Sequence, residues 1–210
     1  YKFEIANQTQ NVNKLSKGKL GYLHIRSMNM PSVYNFERDL YAAASGKDGL
    51  IIDVRDNGGG FTTDILLSSL TAPAHAWTVP RGADLEKTST SNYPRGRRLV
   101  YGWTKPIVVL CNEHSYSNAE IFSHAIKTTG RGRLIGNETY GAVISTGGQT
   151  LIDGALVRMP FRGWYLPNGT DMEAKGATPD LIIPITPNDE IKGSDPQLEA
   201  AVIDLLQTIN

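Results

Sequence analysis

Two uninterrupted apolar runs, Gly49-Leu50-Ile51-Ile52-Asp53-Val54 and Ile107-Val108-Val109-Leu110-Cys111, constrain this chain more than any other feature. A strand with one wet face alternates polar and apolar residues, whereas a run without alternation suits a strand covered on both faces. Each run is followed by a turn and a helical pattern, as in a sheet flanked by helices. Residues 20–25 read as an earlier strand. Pro31 stands near the start of a helix whose apolar positions include Val33, Phe36, Leu40 and Ala44. A short helix is expected over about 62–70, and another over 118–127 with Gly130 placed to stop it. Leu134-Ile135 and a hairpin over 151–157, turning at Asp153-Gly154, come next. Ser194-Asp195-Pro196 caps a last amphipathic helix through Leu206. The expected fold is α/β, a mixed β-sheet core with flanking helices. Residues 1–18 are rich in Asn, Gln and Lys and read as an extended lead-in or linker, leaving 19–210 as the core domain. Residues 72–103 show no periodicity and read as a long excursion.

Composition excludes several function classes. The 210 residues suit one large domain. Twenty-one basic residues cancel twenty-one acidic ones, so charge gives no reason to expect nucleic acid or an anionic membrane as partner. No apolar run approaches membrane-spanning length, and no membrane insertion is expected. Cys111 is the only cysteine, which rules out an intrachain disulfide. No H-E-x-x-H motif or clustered histidine and carboxylate set points to a metal, and no G-x-x-x-x-G-K-S/T loop points to phosphate chemistry. No cofactor is expected. Tyr1 is not a methionine, so a fragment or processed chain is expected and localisation stays open.

The segment Asn112-Glu113-His114-Ser115-Tyr116-Ser117-Asn118-Ala119-Glu120 places a serine where a buried strand hands over to a helix. The first amides of a helix lack intrahelical acceptors and carry the positive end of the macrodipole. A hydroxyl attacking a carbonyl there would raise an oxyanion beside ready donors, each worth about 3–4 kcal/mol. Ser117-Asn118-Ala119-Glu120 equally matches the S-x-x-E capping box, in which the serine oxygen is tied to a backbone amide. The local pattern does not separate the two.

Four ordered segments resemble peptidase family S41, the carboxyl-terminal processing proteases and tricorn proteases. Residues 19–25 look like the family's opening strand, and Asp53-Val54-Arg55-Asp56-Asn57-Gly58-Gly59-Gly60 like its D-x-R-x-N-x-G-G turn. Residues 112–121 match the nucleophile segment, and Lys175-Gly176-Ala177-Thr178-Pro179-Asp180 matches the terminal G-x-x-P-D segment. The resemblance implies a ClpP/crotonase-like architecture, a peptide or protein substrate, Ser117 as nucleophile, and an oxyanion hole from the amides of Gly59 and Asn118. The glycine turn also suits an ordinary strand-to-helix connection, and Asp53 with Arg55 a local ion pair.

The processing proteases carry a base lysine in a T-x-G-K-G segment; here Thr139-Tyr140-Gly141-Ala142-Val143 has alanine in its place. A serine needs an adjacent base near neutral pH, and Ala142 cannot serve. The resemblance is therefore to the tricorn-like branch. There a histidine and a second serine precede a PDZ domain upstream of the core, and a glutamate near the core's end completes the set. Glu173 is the match, with an exposed loop carboxylate as its plain alternative. His24, His75, His114 and His124 are poor substitutes, His114 being the best local fallback. The isolated chain is expected to be nearly inactive, and homo-oligomerisation is compatible with the family. The rival from another class is a non-catalytic ligand-binding module of the same fold, similar to retinoid-binding relatives of these peptidases.

Overall fold

The computed structural model describes residues 1–71, 79, 81–84, 86–87 and 102–209. Most of the 72–103 excursion, His75 included, lies outside the described residues. The core is a five-stranded sheet in the order β1 (Leu20–His24), β2 (Gly49–Asp53), β3 (Ile107–Cys111), β4 (Arg133–Gly136) and β5 (Leu181–Ile182), every neighbouring pair parallel. Among the described residues the one antiparallel pairing between strands is a separate hairpin, βa (Ser145–Thr150) with βb (Leu156–Arg162). It turns through Gly154, where the Asp-Gly step places it, but its strands run further than the expected 151–157.

The two apolar runs behave as their composition demands, because alternate residues feed different cores. Leu50, Ile52, Ile107, Val109 and Cys111 face α2 (Met30–Ala44), α3 (Thr63–Thr71) and α4 (Asn118–Thr128). Ile51, Val108 and Leu110 face α1 (Lys2–Leu15) and α6 (Pro196–Ile209). Crossovers of one hand that step in one direction along a sheet land on one face, as α2, α3 and α4 do. Val33, Phe36, Leu40 and Ala44 are the buried positions of α2, and Asn29 caps it by accepting from Ser32 N–H at 3.0 Å. Asp195 caps α6 through Leu198 N–H at 2.9 Å. Gly130, just past α4, takes φ +61°, the left-handed stop expected of it.

Residues 1–18 are not extended. They form α1, which covers β1 and packs Ile5 and Val12 beside α6. The apolar stripe is only a few residues wide, so a polar composition concealed a helix that tertiary packing stabilises. A six-residue helix, α5 (Pro187–Lys192), capped by Thr186, and the two-residue strand β5 were also not anticipated.

Candidate active site

The carboxyl ends of β2 and β3 are knitted together before either turn begins. Asp56 N–H donates to Asn112 Oδ1 and Asn112 Nδ2 returns a bond to Asp56 Oδ1, both 3.0 Å. The buried Ser115 hydroxyl donates to Val54 O at 2.8 Å. Tyr116 N–H then donates to Asn57 O at 2.9 Å, which seats the glycine turn beside the serine segment. Contact there is as close as backbone allows. A Cβ placed on Gly59 would lie 2.6 Å from Tyr116 O, 2.7 Å from Ser117 Cβ and 3.0 Å from Asn118 N, and φ at Gly59 is +86°. Only glycine meets both requirements.

Ser117 occupies the N-cap position of α4 without the conformation of an ordinary cap. Its φ of 56° and ψ of −116° are rare for a residue with a Cβ, whereas N-caps normally lie in the β region. The reciprocal Ser117/Glu120 box geometry is present, but its hydrogen bonds are lopsided. Ser117 N–H donates to Glu120 Oε1 at 2.9 Å; the Ser117 hydroxyl makes no cap hydrogen bond, and Glu120 N–H goes to Ser117 O at 2.9 Å. A strained strand-to-helix turn whose serine hydroxyl makes no cap hydrogen bond among the described residues has the geometry of a nucleophile elbow.

Asn118 is buried and staples the starts of α3 and α4. Its Oδ1 accepts from Thr63 N–H at 2.9 Å, and its carbonyl accepts from the Thr63 hydroxyl at 2.7 Å. Its own N–H donates to no described residue, so a donor stands one residue past the hydroxyl. The Gly59 N–H is engaged: it donates to Asn57 Oδ1 at 2.9 Å, while Asn57 Nδ2 donates to Ile25 O at 2.7 Å. Asn57, fully buried, organises the turn, a role its place in the D-x-R-x-N-x-G-G pattern alone did not reveal.

Glu173 is half-buried rather than a free loop carboxylate. Its Oε2 accepts from Val143 N–H at 2.8 Å and Ile144 N–H at 2.9 Å. Ala142, where the processing proteases have lysine, lies in the same 139–144 strap, and its N–H donates to Glu120 Oε1 at 2.9 Å. Among the described residues no histidine hydrogen-bonds Ser117. His24 Nε2 donates to Arg55 O at 3.2 Å and its Nδ1 lies 3.0 Å from the Tyr1 hydroxyl. His114 is exposed and its backbone N–H donates to Asn112 Oδ1 at 3.2 Å. His124 is partly buried on α4, burial lowers its pKa, and its Nε2 meets no partner among the described residues.

Asp53 and Arg55 form the expected pair and more. Arg55 Nη2 lies 2.6 Å from Asp53 Oδ2 and 2.9 Å from Asp195 Oδ2, and Arg55 Nη1 donates to Gln197 Oε1 at 3.1 Å. Burial opposes the charge on Asp53, but the adjoining guanidinium, by charge and hydrogen bonding, overrides it and holds the carboxyl below the usual carboxylate range. Among the described residues no group of three or more His, Cys, Asp or Glu is placed to hold a metal ion, and no helix is long and apolar enough to cross a membrane. A cleft of about 870 Å³ between α1 and α2 and a groove of about 640 Å³ at the strand ends both leave Ser117 out of their linings.

Residues 19–183 match the model of peptidase family S41. The chain is 34% identical, over its whole length, to 19% of the tricorn protease of Thermoplasma acidophilum. It is 35% identical, over 94% of its length, to 18% of tricorn protease homolog 1 of Streptomyces coelicolor. It thus spans about a fifth of the length of these curated relatives. A crystal structure of the tricorn protease superposes with a TM-score of 0.84 at 31% identity, over 98% of this chain and 19% of that one. With the fold, the glycine turn and the serine segment agreeing in order and in space, this chain belongs to peptidase family S41.

Proposed function

We propose that this chain is the nucleophile-bearing core of a serine peptidase acting on peptide or protein substrates. Ser117 Oγ attacks the scissile carbonyl carbon, a C–O bond forms, and a histidine takes the hydroxyl proton. That histidine is supplied by a part of the parent protein outside these 210 residues. It returns the proton to the departing amine as the C–N bond breaks, and water then hydrolyses the Ser117 ester by the reverse sequence. The free Asn118 N–H holds the oxyanion, and Gly59 joins it by sharing its N–H between Asn57 Oδ1 and the substrate oxygen. Glu173, its Oε2 occupied by two strap amides, orients the histidine assembly with Oε1.

The observation that carries this reading is Ser117 itself, held at φ 56°, ψ −116° with its hydroxyl making no side-chain cap hydrogen bond among the described residues. A serine that served only as a cap would adopt the β region and hydrogen-bond its own helix. The relatives named above are each described as proteases or protease homologues, and nothing among them favours the ligand-binding alternative.

The test is hydrolysis of a fluorogenic peptide by the full-length parent, by its Ser117→Ala variant and by the isolated 210-residue chain. The variant should lose about 10⁴-fold or more in kcat/KM, and the isolated chain should sit near background. Equal hydrolysis by parent and variant would remove Ser117 as nucleophile.

A further inference from the structure

Glu120 sits in the first turn of α4, where a capping glutamate would be solvated and would need one bond, to the cap residue's N–H. Here the residue is fully buried, and its carboxylate takes four donors from two separate segments. Oε1 accepts from Ser117 N–H and Ala142 N–H, both at 2.9 Å. Oε2 accepts from the Thr139 hydroxyl at 2.8 Å and from Gly141 N–H. The hydroxyl direction is forced. Ala177 N–H donates to Thr139 Oγ1 at 2.7 Å, so the single Thr139 proton is left for Glu120. A buried carboxylate is tolerated only where its oxygens are satisfied, and no cation pairs with this one among the described residues.

We infer that Glu120 is the positioning residue of the reaction: its carboxylate fixes the Ser117 main chain in the attacking conformation and binds the strap that Glu173 grips from its far end. The inference rests on Ser117 being the nucleophile. Two features make the role more than packing. First, a positive-φ serine persists only where its surroundings over-determine it, and Glu120 Oε1 is the acceptor of the Ser117 N–H. Second, the strap is continuous between the two carboxylates. Residues 139, 141 and 142 meet Glu120, residues 143 and 144 meet Glu173, and Ala174 N–H returns to Gly141 O at 2.9 Å. The nucleophile and the glutamate that orients its base are thereby held in one frame.

All four groups facing Glu120 are donors, so an amide cannot replace the carboxylate: its NH₂ end would meet N–H and O–H groups. The experiment uses the full-length parent and compares Glu120→Gln, Thr139→Val, Thr139→Ser and Ser117→Ala in peptide hydrolysis and in the rate of acylation by a fluorophosphonate. Glu120→Gln should lower kcat and the acylation rate together by about 10²-fold, the scale of a misplaced reacting group, with KM unchanged. Thr139→Val should move both in the same direction by about tenfold, and Thr139→Ser, which keeps the hydroxyl, should restore them. Wild-type kcat and acylation in a folded Glu120→Gln protein, or a rise in KM alone, would overturn the inference. If Glu120→Gln does not fold, the Thr139 pair decides: loss in Val with recovery in Ser supports the role, and no loss in Val overturns it. Activity surviving in Ser117→Ala would bring down the nucleophile assignment itself, a result distinct from normal behaviour of Glu120→Gln alone.

Discussion

Ser117 holds a backbone conformation that costs a side-chain-bearing residue about 1–3 kcal/mol, with φ 56° and ψ −116°. Three neighbours hold it there: Glu120 on its N–H, Asn57 on the preceding amide, and Gly59 against its Cβ. The strain gives a stability prediction that no list of contacts would give. Ser117→Gly removes the Cβ and its clash, whereas Ser117→Ala keeps it. Both variants should be inactive, yet Ser117→Gly should be the more stable, although glycine's looser unfolded state offsets part of the roughly 1 kcal/mol gain. Urea unfolding of the two checks this, and Ser117→Ala being clearly the more stable would speak against strain at this position. At this scale much was legible. Ser117 stood out as either a cap or a nucleophile because a buried strand hands over to a helix there, and only the family resemblance favoured the nucleophile. Glu120 could be read only as a cap partner, since Thr139, Gly141 and Ala142 reach it through the fold and not through neighbouring sequence.

Between elements, the turn after β2 is anchored to the start of α6 by a buried network. Arg55 bridges Asp53, Asp195 and Gln197, and the Tyr22 hydroxyl donates to Asp53 Oδ2 at 2.9 Å. Burial and then the Asp53 charge push the Tyr22 phenol pKa up, so it stays a neutral donor. The Asp53 carboxyl is depressed in the fold relative to about 3.9 in an unfolded chain. A depressed carboxylate contributes stability that is fully present above its unfolded value and is lost as pH falls through the folded one. The stability difference between wild type and Asp53→Asn should therefore be constant from neutral pH to about 5, then shrink below about 4. Urea midpoints across pH 3–7 measure it, and a difference that grows on acidification would contradict the assignment. Sequence made this pair visible as a local turn contact. Its third partner, Asp195, lies 140 residues away and was legible only as the cap of α6.

At the scale of the molecule, five parallel strands in chain order place their carboxyl ends along one edge, and the glycine turn and the serine segment leave from adjacent strands there. The two-faced burial of β2 and β3 was readable because a strand covered on both faces reads as a near-continuous apolar run rather than an alternating one. The α1 helix was not, because its few buried residues matter only once β1 and α6 lie beneath them. In the proposed mechanism the core supplies Ser117 as nucleophile, the Asn118 donor and the carboxylates, while among the described residues no histidine hydrogen-bonds Ser117. On that proposal the chemistry is measured in the full-length parent. The most direct measurement is reaction of the full-length parent with a fluorophosphonate, followed by mass spectrometry of its peptides. The account predicts one phosphonyl adduct, on Ser117, absent from Ser117→Ala. A parent that takes up no label, or carries it equally in the Ser117→Ala variant, would contradict it.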